Sequence, residues 1–360
     1  MKKDLKDFIR YITSIGKIDD SRLQWIDLAK GIAITMIVFR HTITGVWDAG
    51  IEMDPQFYEV CVQVGLTFRM PLYFLLSGIF FYRSISKRGQ WGYTVHKANT
   101  IMYPYFIWSI ILMTLQLIFH EYVNGQFTTL EAWLTVFYDP WGHWWFLYAL
   151  FVVSILYMFL HKLVLGNKIA LFFITVVFYF ISHHMGDLYL VDDILELLVY
   201  FALGDIVSGF AVRLEESGIP GNNLFVTVMV LLAILGEYLL FYNFRTDPTA
   251  NLVFAIIGIS TASLLCVRIA RSSRKWKLYL RLLGQHSLYI YLLHAFAAPA
   301  MRVFLNRLLG IESLSIIIPL SFLSGLIIPI LVYRVINYFG GSFLFVPKFN
   351  SPVFKKDSSS

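Results

Sequence analysis

The chain has 360 residues, of which 58% are hydrophobic and 17% aromatic, and its mean hydropathy is +0.67. Charged residues make up 14%, against about 25% in a typical soluble domain. That excludes an ordinary globular enzyme and points to an all-α, polytopic membrane protein. The net charge of +6 is no sign of a nucleic-acid partner, because in such a chain the distribution of cations between loops matters more than their sum.

Residues 1–23 are polar, with no short apolar core followed by a small-residue cleavage site, so the first hydrophobic helix is expected to remain as an anchor. Apolar runs near bilayer length then predict ten spans, at 24–46, 60–82, 98–119, 141–160, 168–182, 190–211, 223–241, 250–267, 279–300 and 314–337. These spans form a single membrane domain, 24–337, followed by a tail, 338–360. Cys61 and Cys266 lie in apolar runs without metal or disulfide spacing and read as packing residues. With the N-terminus inside, the cytoplasmic segments hold 23 Lys and Arg and the outer loops hold 3. Lys and Arg favour the cytoplasmic side, so both termini are expected there, in a multi-pass protein of a bacterial inner or plasma membrane surrounded by lipid.

The first span, QWIDLAKGIAITMIVFRHT, carries Asp27, Lys30, Arg40 and His41. Each Asp, Lys or Arg costs at least ~2.5 kcal/mol near the bilayer centre. Lys30 and His41 are eleven residues apart, roughly 16 Å along a helix axis. Eleven steps of about 100° bring them back to nearly the same face. Asp27 lies one turn from Lys30 and can pair with it, and Gly31 and Ala33 allow close helix approach. One reading is structural, an ion pair with a snorkelling Arg40. The other is functional, with His41 moving protons and Lys30 holding an anion.

Arg22, Asp27, Lys30, Gly31 and His41, in the order R-x4-D-x2-KG-x9-H, resemble the start of the membrane acyltransferase-3 family. FRMPLYFLLSGIFF (68–81), YPYFIW (103–108), WGHWWFLYALF (141–151) and SLYIYLLH (287–294) are similar to that family's later motifs, in order along the chain. Within the family, the wording of 24–42 and of the Ser-Gly segment is most similar to the fucose and capsular-polysaccharide O-acetyltransferases. Two departures stand out: Lys30 replaces the commoner Arg, and Arg69 stands where a His is expected before Met-Pro.

The resemblance implies transfer of an acyl group, usually acetyl from cytoplasmic acetyl-CoA, to a hydroxyl of a cell-surface polysaccharide or its lipid-linked precursor. Acetyl-CoA would be a co-substrate, with no bound cofactor and no metal. His41 is the expected base, Lys30 a donor contact and Asp27 its orienting partner. Arg83, Lys87 and Arg88 in the predicted loop 82–97, together with Arg69, are expected at the donor's phosphates; alternatively that loop only enforces orientation. His143, Trp144 and Trp145 are expected at the acceptor entrance, where a plain membrane belt is the alternative. Ser77 has no G-x-S-x-G elbow, so Ser77–Gly78 reads as a helix-approach site. His294 reads as a structural or catalytic buried group, and the basic run 268–281 as topological or lipid-facing. The rival function is a transporter or flippase; the paired halves common in transporters are not seen.

Overall fold

The computed structural model describes residues 8, 11, 12, 23–118, 136, 137, 140, 144–186, 188 and 190–347. No strand occurs among them. In chain order the helices are α1 (Gln24–Asp48), α2 (Pro55–Gln63), α3 (Leu66–Ile79), α4 (Phe81–Lys97), α5 (Tyr103–Ile118), α6 (Trp145–Leu163), α7 (Lys168–Ser182), α8 (Val191–Arg213), α9 (Asn223–Tyr242), α10 (Pro248–Arg271), α11 (Lys277–Gln285), α12 (Ser287–Val303) and α13 (Leu314–Tyr338). A π-helical turn at Ala98–Met102 joins α4 to α5, and another at Phe304–Leu308 extends α12.

Several helix starts follow from capping chemistry. Asp54 accepts from the Phe57 amide at 2.7 Å, with Pro55 in the first turn. Asn167, Asn222 and Asp247 do the same for α7, α9 and α10. Each satisfies an amide that the first helical turn leaves without a partner.

Among the described residues, eight stretches are long and apolar enough to cross a membrane. Two of the ten expected spans fall outside them. The first, α1, is 25 residues long, but Asp27, Lys30, Arg40, His41 and Asp48 dilute its hydropathy. The other, α7, has 15 residues. The expected span 60–82 is made of α2 and α3, which break at Gly65 (φ +72°), a left-handed conformation natural to glycine. The loop expected at 82–97 is instead helix α4, interrupted at Gly89 (φ +67°, ψ 175°). It continues into the next span.

The chain divides into two units, Met1–Leu76 with Val207–Val335, and Ser77–Ile206 with Ile336–Ser360. In the first, α1 is the central helix, packed against α10, α11 and α12. Gly31 and Gly284 bring α1 and α11 backbone to backbone: a Cβ on Gly31 would strike the Leu280 carbonyl oxygen, and one on Gly284 the Asp27 carbonyl. Small residues serve this purpose between membrane helices.

The first unit also uses its basic run as caps. Lys277 Nζ donates to the carbonyls of Ala270 and Ser272, both at 2.7 Å, and Arg271 Nη2 donates to Ser217 at 2.6 Å. These bonds satisfy carbonyls that helix ends leave open.

In the second unit, Gly78 lies against the Phe201 carbonyl, where a Cβ would collide. This agrees with reading Ser77–Gly78 as an approach site. Phe81 is ringed by Tyr93, Tyr157, His161 and Phe201 at centroid distances of 4.8–6.0 Å. Beside that cluster, Asp205 on α8 accepts from Lys168 Nζ at 2.7 Å and from the Tyr157 hydroxyl at 3.0 Å. Asp205 is fully buried and Lys168 is 31% exposed.

Candidate functional site

Helix α1 is uninterrupted from Gln24 to Asp48, so Lys30 and His41 keep the helical separation expected from their spacing. At the Lys30 end, Asp27 is 2% exposed and its carboxylate accepts from Gln285 Nε2 of α11 at 2.9 Å. The Tyr73 hydroxyl of α3 donates to the Lys30 carbonyl at 3.2 Å. Lys30 itself is half-buried. This end of α1 is therefore fastened by α11 on one side and α3 on another, which holds the Lys30 backbone in a defined place.

At the other end, His41 meets His294 of α12, with ring centroids 5.3 Å apart and planes inclined by 42°. His294 is 1% exposed. Its Nδ1 lies 2.7 Å from the Tyr291 carbonyl and 3.1 Å from that of Ile290. Carbonyls only accept, so Nδ1 carries the proton, and in the neutral ring Nε2 is the lone-pair nitrogen. A histidine held in one tautomer by its own helix backbone thus stands beside the candidate base.

Two arginines complete this end. Arg40, adjacent to His41 on α1, and Arg69 on α3 both act electrostatically on His41 and on each other. Arg69 is 3% exposed, and its Nη1 donates to the carbonyls of Val62 and Val64, where α2 ends. Glu237 of α9 faces Arg69 and accepts from the Thr67 hydroxyl. His41, His294, Arg40, Arg69 and Glu237 all belong to the first unit.

Other expected residues are placed as follows. Arg83 and Lys87 lie one turn apart on α4 and are exposed, while Arg88 is half-buried with Nη1 3.4 Å from the Ser84 hydroxyl. They belong to the second unit, as do Trp144 and Trp145. Trp144 is 2% exposed, its ring 6.2 Å from that of Tyr105. Trp145 is half-buried at the start of α6. His143 lies outside the described residues.

The convergence of His294, Arg40 and Arg69 on His41 brings together α1, α3 and α12, which are distant in sequence. A signal existed for each part: a charge inside an apolar run is costly and calls for a partner or a task. Their meeting was not foreseen from spacing.

Residues 23–334 match the family model described as an acyltransferase domain. No curated protein and no solved structure gives a significant match. The family match spans most of the chain and includes Asp27, Lys30, His41, Arg69 and His294. The chain therefore belongs to acyltransferase family 3, and is a multi-pass membrane acyltransferase.

Proposed function

We propose that the protein transfers acetyl from cytoplasmic acetyl-CoA to a hydroxyl of a polysaccharide or its lipid-linked precursor, with His41 as general base. The observation that carries this reading is His41 next to a tautomer-fixed His294, on the same uninterrupted helix as Lys30.

His41 takes the proton from the acceptor hydroxyl as its oxygen attacks the thioester carbonyl. The new C–O bond forms, the C–S bond breaks, and the leaving thiolate receives the proton from the His41 imidazolium. The acetyl group moves once, without an acyl-enzyme. General base catalysis of this kind is worth about 10²–10⁴-fold. His294 is a positioning residue: its ring, held in one tautomer by the Ile290 and Tyr291 carbonyls, stands 5.3 Å from the His41 ring and limits how that base can turn. This is how a third group orients the base in other nucleophile–base pairs.

Lys30 serves the donor. Its end of α1 is cytoplasmic in the orientation that the Lys and Arg distribution favours. Within the second unit, Arg83, Lys87 and Arg88 of α4 are cations of the kind that coenzyme A phosphates pair with. Their helical presentation puts Arg83 and Lys87 on one face.

Amine-reactive labelling in membranes tests the donor assignment. Acetyl-CoA, but not acetate, should slow modification of Lys30 and Lys87. Identical labelling of either lysine with and without acetyl-CoA would remove that lysine from donor binding.

A further inference from the structure

The His41 end of α1 holds more positive charge than the described protein neutralises. Arg40 precedes His41 on α1, and both it and Arg69 of α3 act electrostatically on His41. Among the described residues, no carboxylate lies within 4.0 Å of either guanidinium. Glu237 acts on Arg69 from farther away, and Tyr58 of α2 faces Arg40. The Arg40 Nε is buried and has no hydrogen-bond acceptor among the described residues.

Part of this has a structural use. Arg69 Nη1, at 3.2 and 3.4 Å from the Val62 and Val64 carbonyls, caps α2 where the chain breaks before α3. That occupies one of the three nitrogens of its guanidinium and leaves its charge opposed, among the described residues, only by Glu237, from beyond 4.0 Å. It does not account for Arg40 at all. Arg69 is buried and Arg40 half-buried, and two cations so placed repel each other and stay costly unless an anion joins them.

The position of the pair identifies whose anion it is. Lys30 lies roughly 16 Å along α1 from His41, and the donor's phosphates belong at that end in the proposed function, on which this inference rests. Charge beside His41 therefore falls to the molecule whose hydroxyl His41 deprotonates, and Arg69, which the resemblance put at the donor's phosphates, goes to the acceptor instead. We infer that Arg40 and Arg69 bind a negatively charged group carried by the acceptor, a carboxylate of an acidic sugar or a phosphate next to the sugar, and so hold its hydroxyl at His41. An oxyanion that exists only during the transfer would leave both cations unbalanced for the rest of the cycle. A charge carried by the acceptor neutralises them for as long as it is bound.

The test is binding to the purified full chain in detergent. The probes are a glucuronate-containing oligosaccharide, its neutral glucose counterpart and glucose 1-phosphate. Wild type, Arg40→Gln, Arg69→Gln, Arg69→Lys and His41→Ala are compared, with melting temperatures as a folding control. An acidic probe should bind about tenfold or more tightly than the neutral one, the effect expected of a charge-assisted hydrogen bond. That preference should vanish in Arg40→Gln and Arg69→Gln, weaken in Arg69→Lys and persist in His41→Ala. Whether glucuronate or phosphate shows the larger preference names the source of the charge.

Equal binding of acidic and neutral probes, or a preference intact in both Gln variants, would overturn the inference. Arg40→Gln touches no helix-ending carbonyl and remains decisive if Arg69→Gln fails to fold. Acetyl transfer to the same probes separates the two proposals. Efficient transfer with no acidic preference removes this inference and keeps the acetyltransferase. An arginine-dependent preference without transfer from acetyl-CoA to any probe does the reverse.

Discussion

Each unit of this protein withdraws charged side chains from solvent, and the two balance them differently. In the second unit Asp205 is fully buried, yet both of its oxygens are used: Lys168 donates to one and Tyr157 to the other. In the first unit Arg40 and Arg69 lie beside His41 with their charges opposed by no close described carboxylate. A satisfied pair needs nothing further and pins α7 and α6 to α8. An unsatisfied one is stability given up, and such concessions gather where a ligand must be received.

The comparison breaks most visibly at Lys168. Lys168→Met leaves the Asp205 carboxylate buried without its cation. The expected loss is about 3 kcal/mol, at the low end for a broken buried pair because Lys168 is partly exposed. A lower melting temperature in detergent would record it, and adding Asp205→Leu should recover most of the loss. An unchanged melting temperature for Lys168→Met would mean that the pair does not hold α7 and α8 together.

A smaller effect is expected at His294, this time in activity. His294→Ala should lower kcat about tenfold or more, as loss of an orienting partner does, while leaving the KM for acetyl-CoA alone. His294→Gln keeps a polar side chain beside His41 and should restore part of the rate. Equal loss in both variants would reduce His294 to packing.

The smallest effect has the opposite sign. Arg40→Met removes an unbalanced cation and should raise thermal stability by about 1 kcal/mol, measured without acceptor. A clear drop in melting temperature would mean that Arg40 has a structural partner, and the contrast between the units would fail.

What could be read from the residues alone follows from periodicity. The Lys30–His41 spacing needs only the pitch of a helix, and α1 is continuous over both. The approach of Gly31 to a neighbouring helix was equally open to that reasoning, although nothing local named Leu280 of α11 as the partner. Segment 82–97 reads as a loop yet is helical, because a run of polar and basic residues looks the same in a loop and on an exposed helix. The break at Gly89 then joins that helix to the next span instead of ending it. His294 and Arg69 each stand out as a polar group in an apolar run, but their partners come from helices tens to hundreds of residues away. Pairing of that kind is decided by tertiary packing, on which a single sequence is silent.

The most direct measurement is transfer of labelled acetyl from acetyl-CoA to envelope glycans, in membranes carrying wild-type protein or His41→Ala at matched expression. Label that accumulates with wild type and falls by about 10²-fold or more with the variant is the predicted result. Equal label in both, or none with wild type across several acceptor pools, would contradict His41-dependent acetyl transfer.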